Sequence, residues 1–576
     1  VVACARVLLT EVHSGRVCEY AKALALSEED ALAWILFAVA LHDLGKATPP
    51  FQAKVAQRLE ALRALGLDFP DIDVPHGAMS AVLAPAALQR FGCPSRLARG
   101  LASAVGAHHG SFETTNRLCD LQDAQQKAGG RHSLWQDLRE HLVDALSVAT
   151  GVAHASSTPL LPACAARNAL YADVAGITTV ADWLGSNTEH FPYEEPPASA
   201  EAYFARSLAR ARAAIASAGF RRPPRPSARS FEELFTRTPW PLHRAVSDIL
   251  DDIGPGSLVV VEAPMGEGKT EAALLIYDNL AARGAEGLYF ALPTQATANQ
   301  ILGRIQSYLT RSFPKQAHGL HLVHGGAGLN ERYEELKRRG FLARSVGAVS
   351  RTNEDEGPIA DAWFARPKRA LLAPIAVGTV DQALLAVLRS KHHFLRLHGL
   401  ARKVFVVDEV HAYDTYTSEI LARLCTWLRS LGAIVVLLSA TLSSKQREHL
   451  LGAYGVEQAP ARASYPRITV ARDSTARVIS FEPRRPPIEI AVEWQDEVAL
   501  ARAIVDAVRN GGCVAWILNT VARAQAAYRS LVELRACGEA PGDLELSLLH
   551  ARFPFAARQS RERAAEDAFG PPDRAT

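Results

Sequence analysis

Three stretches of the 576-residue sequence bring together side chains whose types and spacing could do chemistry. In APMGEGKTEAA (Ala263–Ala273), Gly266 and Gly268 free the backbone to turn its amides inward around phosphate oxygens. The helix expected to follow adds its positive end. Lys269 would reach the β- and γ-phosphates and Thr270 would hold Mg²⁺, with Ala263, Pro264, Met265 and Glu267 completing the loop. Ala263 stands where the GxxxxGK[ST] pattern usually has its first glycine. In VVDEVHAYD (Val406–Asp414), Asp408 at a strand end suits a water-bridged Mg²⁺, and Glu409 suits a base that polarises the attacking water. His411 could sense the γ-phosphate. In ALHDLGKATPPFQAK (Ala40–Lys54), His42 and Asp43 close an apolar run, Ala31–Leu41. Taken alone, such a pair is more often a solvated helix end than a metal site.

The elements that must position these groups fall into two textures. Residues 1 to about 215 place Ala, Leu and Val at helical spacing, with few runs that read as strands. FRRPPRPSARS (Phe220–Ser230), with three prolines and four arginines, reads as a stiff, solvated linker. Beyond it come short apolar runs: Ser257–Pro264, Gly287–Pro293, Lys403–Glu409 and Ala433–Thr441, with helical segments between. That is the pattern of a parallel sheet covered on both faces. GKT, DEVH and SAT (Ser439–Thr441) then lie in order on successive strand ends, at the edge where such sheets bind ligands. CVAWILNT (Cys513–Thr520) reads as the first buried strand of a second α/β lobe.

The bulk numbers set limits. A chain of this length exceeds one core. Net charge is +2, from 63 basic and 61 acidic residues, so any nucleic-acid contact must use local rather than global positive charge. The eight cysteines include no CxxC pair, which argues against zinc ribbons and disulfide frameworks and fits a reducing cytoplasm. No run is long enough to span a bilayer. The sequence starts at Val1 and reads as a fragment or a processed chain.

Together GKT, DEVH and SAT resemble a superfamily 2 helicase of the DExH type. LPTQATANQ (Leu292–Gln300) and GTVDQALL (Gly378–Leu385) resemble its strand-contacting motifs, and NTVARAQ (Asn519–Gln525) and LLHARFPFAAR (Leu548–Arg558) resemble the opening motifs of its second lobe. Upstream, His13, His42-Asp43, His76, His108-His109 and Asp182 keep the order of the HD phosphohydrolase superfamily. Mixed His/Asp ligation suits Mn, Fe, Co or Ni better than Mg. HD followed by a DExH motor resembles the CRISPR-associated helicase–nucleases of type I systems, over nearly the whole chain.

The resemblance implies a multidomain fold: an all-α HD domain over 1–218, a linker over 219–230, a first RecA-like α/β lobe over 231–480 and an incomplete second lobe over 486–576. It implies two divalent transition-metal ions, one held by His13, His42, Asp43 and Asp182. Asp43 would bridge to the other, held by His76, His108 and His109, and Lys46 would lie beside the scissile phosphate. ATP with Mg²⁺ would fill the helicase cleft. The implied activity is ATP-driven translocation on single-stranded DNA, the displaced strand of an R-loop, coupled to metal-dependent cutting. The implied partner is an RNA-guided Cascade effector complex, with the chain a cytoplasmic monomer. Two rivals are an HD-containing remodelling ATPase not tied to CRISPR and a small-nucleotide HD phosphohydrolase with a regulatory ATPase. Two departures stand out. His243 occupies the place where the family has an adenine-reading Gln, which leads to weaker discrimination of ATP from GTP. No arginine-bearing QxxGRxxR segment precedes Thr576, so the motor as written reads as incomplete and slow in ATP turnover.

Overall fold

The computed structural model describes the chain apart from residues 65–73, 127–131, 194–198, 222–226, 314–316, 346–356, 458–463, 487–488, 510 and 570–576. Among the described residues before Phe220 there is no strand. The helices that matter for the site are Ser14–Leu24, Glu28–Ala40, His76–Arg90, Ser95–Gly106 and Cys164–Gly185. Glu28–Ala40 starts where the Ser27 side chain accepts a hydrogen bond from Asp30 N, and nearly every residue of its apolar run is buried. No helix among the described residues is long and apolar enough to cross a membrane.

Among the described residues the α/β part holds nine strands: β1 (Leu258–Glu262), β2 (Leu288–Leu292), β3 (Ala317–Val323), β4 (Gly357–Ile359), β5 (Ile375–Thr379), β6 (Val404–Val407), β7 (Ile434–Ser439), β8 (Arg467–Arg472) and β9 (Thr475–Ser480). They form one sheet in the order β4-β3-β5-β2-β6-β7-β1-β8-β9. Pairing is parallel from β4 to β1 and antiparallel at β8 and β9. The strands anticipated from the β-branched runs are therefore present. Side chains alternate between two cores: Leu258 and Val260 pack into one, Val259 and Val261 into the other. β6, β7 and β1 are neighbours, which brings the three motif-bearing strand ends side by side.

One of those two cores continues into the helical part, and residues 1–485 form one compact unit. The chain does not part at the proline-rich stretch. Residues 222–226 lie outside the described residues, but both flanks are docked rather than solvated. Phe220 is buried against Trp363 and Phe364, Arg221 pairs with Asp361, and Arg229 pairs with Asp278. Helix Cys164–Gly185 meets helix His393–Leu400 so closely that a Cβ on Gly176 would lie 2.3 Å from His398 Cβ.

A buried ion network crosses this junction. The Arg16 guanidinium donates to Asp173, to Glu286 Oε2 at 3.1 Å and to the His398 carbonyl at 2.9 Å. Burial alone would raise the Glu286 carboxyl, but Arg16, His13 and Arg402 hold it down to about 2. Burial and Arg16 push His398 down to about 4, against the pull of Asp173.

Residues 486–576 form a second unit with helices Glu497–Val508, Val521–Ala536 and Phe555–Phe569. The strand expected over Cys513–Thr520 does not form there, and Ile517 is 90 % exposed. A buried parallel strand needs paired neighbours for its backbone groups, and no strand is present among the described residues of this unit.

Arg16→Met removes the cation that two buried carboxylates share, leaving Glu286 with Arg402 and Asp173 with none, and should lower stability by about 3–5 kcal/mol near neutral pH. Glu286 titrates below its ordinary 4.5, so its share of stability is complete above that value and is lost as pH falls towards 2. Denaturant unfolding of parent and variant should show a gap that narrows with acidification across that window. A gap of constant size would remove Arg16 as the cause.

Candidate metal centre and nucleotide site

After Ala40 the apolar helix tightens into a 3-10 turn, Leu41–Lys46, which turns His42 and Asp43 toward the start of helix His76–Arg90. Gly45 makes that approach possible: a Cβ there would sit 2.1 Å from the His76 carbonyl oxygen, and its N–H donates to Ser80 Oγ at 2.8 Å. His108 and His109 follow helix Ser95–Gly106 in a second 3-10 turn, and Asp182 lies in the last turn of helix Cys164–Gly185.

Asp43 stands at the middle. Its Oδ2 lies 3.3 Å from His42 Nε2 and 2.6 Å from Lys46 Nζ. Its Oδ1 lies 3.4 Å from His76 Nε2 and 4.0 Å from His108 Nε2. Asp182 Oδ1 is 3.8 Å from His42 Nε2 and accepts a hydrogen bond from Ser186 Oγ. His76 and His109 meet Nε2 to Nε2 at 2.9 Å, and one ring nitrogen from each of His76, His108 and His109 lies within 4.8 Å of the other two.

Backbone carbonyls set two of the tautomers. His42 Nδ1 donates to Val39 O at 2.9 Å and His108 Nδ1 to Val105 O at 2.7 Å, which leaves each Nε2 with a lone pair aimed inward. His42 Nε2 and Asp43 Oδ1 are buried with no hydrogen-bond partner. Burial pushes His76 and His108 down to about 4, so both rings are neutral near pH 7. Burial opposes ionisation of Asp43, but the Lys46 ammonium beside it holds its carboxyl below the usual range. Unbonded donor atoms, neutral imidazoles and an ionised carboxylate fit divalent cations; uncompensated buried groups of this kind otherwise cost stability.

His13 does not join this cluster. Its Nδ1 lies 3.0 Å from Glu286 Oε2, and its ring stands edge-on to Phe220 and His398. The π turn Leu8–Val12 ends at His13 and aims the ring into the junction with the sheet, where it serves the Arg16 network instead. Sequence order alone could not reveal this, because the competing partner lies 273 positions away. Ser80 escaped the sequence reading as well; Gly45 in HDLGK is its only sequence signal.

At the nucleotide site Gly266 and Gly268 both have φ near +81°, a region that favours glycine. Lys269 Nζ donates to the carbonyls of Ala263 and Pro264 at 2.9 and 3.2 Å, and burial lowers its pKa. Ala263 N donates to Ser439 O, which joins the loop to the end of β7. Met265 is exposed, and Glu267 is buried and accepts from Arg484 N. Arg304, not anticipated, donates to Thr270 Oγ1 at 3.1 Å. Burial and Glu409 raise the Asp408 pKa. Glu409 takes φ +53°, a strained value for a side-chain-bearing residue. His411 Nδ1 lies 3.2 Å from Ser439 Oγ and 3.4 Å from Glu409 Oε2, so it links two motifs. This arrangement can cradle the phosphates of a nucleoside triphosphate.

Comparison with known proteins found similar chains over nearly the whole length. Residues 1–191 match the family described as "Cas3, HD domain", and residues 510–576 match "CRISPR-associated nuclease/helicase Cas3, C-terminal". The CRISPR-associated endonuclease/helicase Cas3 of Thermus thermophilus is 39% identical over 527 residues, 89% of this chain and 55% of that protein. The crystal structure of T. fusca Cas3-AMPPNP superposes with a TM-score of 0.82 at 32% identity, over 99% of this chain and 64% of that one. Over nearly its whole length the chain is similar to Cas3 proteins. A chain of the "CRISPR RNA-guided surveillance complex, pre-nicking" also matches, with TM-score 0.69 and 30% identity, over 99% of this chain and 62% of that one. The present chain thus spans between about half and two thirds of these relatives.

His243, expected from the resemblance in the place of an adenine-reading Gln, has both of its ring nitrogens already committed. Nδ1 accepts from Trp240 N–H at 3.1 Å and Nε2 meets Gly268 O at 3.1 Å, with Phe231 stacked on the ring. It braces the phosphate loop and has no atom left for a base edge. His243→Ala should therefore weaken ATP and GTP binding alike, by roughly fivefold for the one lost bond to the loop. Competition of each nucleotide against a fluorescent analogue measures this; a loss confined to ATP would make His243 an adenine reader.

For the metal cluster, Asp43→Asn should release metal from both sides at once. Isothermal titration with Mn²⁺ or Co²⁺ would then show no tight site while far-ultraviolet circular dichroism stays that of the parent. A variant that still binds two ions would overturn the bridging assignment.

Proposed function

We propose that the chain is the nuclease and motor part of a type I CRISPR interference enzyme. It cuts single-stranded DNA at a metal centre and draws that strand in by ATP hydrolysis. The observation that carries this reading is the position of Asp43, one carboxylate oxygen turned to His42 and the other to His76 and His108. A carboxylate so placed suits a pair of cations about 4 Å apart. His42, Asp43 and Asp182 would hold one ion, with Asp43, His76, His108 and His109 around the other; Mn, Fe, Co or Ni suits such donors. When bound, the ions supply Lewis acidity and an activated water for phosphodiester hydrolysis.

The chain's own residues orient and neutralise. The carbonyls of Val39 and Val105 hold the imidazoles in register. Lys46, partly exposed beside Asp43, is placed to balance charge on a phosphate. In the motor, Lys269 and Thr270 would bind the triphosphate and its Mg²⁺, Asp408 would orient that ion, and Glu409 would take the proton of the attacking water. The family's place in CRISPR systems supports an RNA-guided effector complex as the partner, with base pairing there supplying sequence specificity.

Circular single-stranded DNA incubated with Mn²⁺, Co²⁺ or Ni²⁺ should be opened and degraded without ATP. Lys269→Ala should leave that cutting intact and Asp43→Asn should abolish it, read on a denaturing gel. Hydrolysis of free nucleotides with circular DNA left whole would favour a small-nucleotide phosphohydrolase instead.

A further inference from the structure

Next to the candidate metal centre lies an aromatic side chain with no part in its ligation. Phe51 sits on the short turn of helix Pro49–Gln52 and meets the His76 ring edge to face, with centroids 5.2 Å apart. It is only half buried and belongs to none of the hydrophobic clusters among the described residues. What gathers over the ring instead is positive charge: Lys46 Nζ at 5.8 Å and Lys54 Nζ at 5.9 Å from its centroid.

The ledge that carries Phe51 is built with care for position. Three successive carbonyls are pinned by side chains: Gly45 O by Thr48 Oγ1 at 2.6 Å, Lys46 O by Gln52 Nε2 at 2.8 Å and Ala47 O by Arg139 Nη1 at 3.3 Å. Pro49 and Pro50 are buried and fix the backbone direction. A phenyl ring held rigidly at the rim of a site, outside any core and flanked by ammonium groups, has the chemistry of a surface that binds a base and its phosphates.

We propose that Phe51 is a stacking platform for the unpaired base next to the scissile phosphate, with Lys46 on that phosphate and Lys54 on the next one along the strand. The proposal rests on the nuclease reading above and gives it a substrate preference. In a duplex each base is stacked on its neighbours and has no free face to offer, so the platform admits a single strand. It tolerates any base, because each has a π face.

The test pairs protein variants with a substrate that lacks one base. Single-stranded oligonucleotides, unmodified or with one abasic nucleotide at each position in turn, are cut by the parent, Phe51→Leu and Phe51→Trp with Mn²⁺. Bound Mn²⁺ is measured in parallel for all three. The parent should cut the bond beside the missing base about tenfold more slowly in kcat/KM, the scale of one lost base–aromatic stack. Phe51→Leu should cut both strands alike at the lower rate with parental metal content, and Phe51→Trp should restore the difference. The platform falls if Phe51→Leu keeps the parental penalty for the missing base. It also falls if that variant loses metal together with activity, since the ring would then only prop His76. A parent that cuts intact and abasic strands equally overturns the platform alone. A parent that binds Mn²⁺ and cuts neither overturns the nuclease reading and the platform with it.

Discussion

The junction between the helices and the sheet depends on one guanidinium. Arg16 is fully buried and serves Asp173 from the helical part, Glu286 from the approach to β2, and His398 from the helix before β6. A charge buried this deeply is tolerable only when its partners are equally fixed. Gly176 lets the two helices close to the distance at which those partners meet. The order of the helical half is thereby tied to the order of the sheet. Helix Cys164–Gly185, which supplies Asp173 to the network, also supplies Asp182 to the metal cluster two and a half turns further on.

Much of this was legible in the sequence because it is local. The phosphate loop, the acidic pair after β6 and the Ser-Ala-Thr after β7 are short, and each announces its strand by a β-branched run. The cluster of His42, Asp43, His76, His108, His109 and Asp182 was readable from order within a superfamily pattern. The carbonyls of Val39 and Val105, which decide what those histidines can do, carry no sequence signal at all. His13 failed for the opposite reason. Its type and place fit the pattern, but its ring answers to a carboxylate brought in by the sheet. The proline-rich stretch misled in the same way: composition reports stiffness and polarity, not whether Phe220, Arg221 and Arg229 find partners. Cys513–Thr520 has the composition of a buried strand, yet strand formation is a property of pairs.

The two chemistries share a design feature. At the metal cluster, imidazoles are aimed by backbone carbonyls; at the phosphate loop, His243 is aimed by Trp240 N–H and in turn holds Gly268. In both places a main-chain group consumes one ring nitrogen so that the other has a single job. That arrangement costs little entropy on loading, because the rings are already confined before any ligand arrives.

The joining of helices and sheet into one packed unit has a mechanical meaning. The candidate metal centre and the phosphate loop lie in the same compact unit, joined through the Arg16 network. If the proposed activities hold, a shared frame of this kind leaves the length of strand passed as the natural link between fuel consumption and cutting.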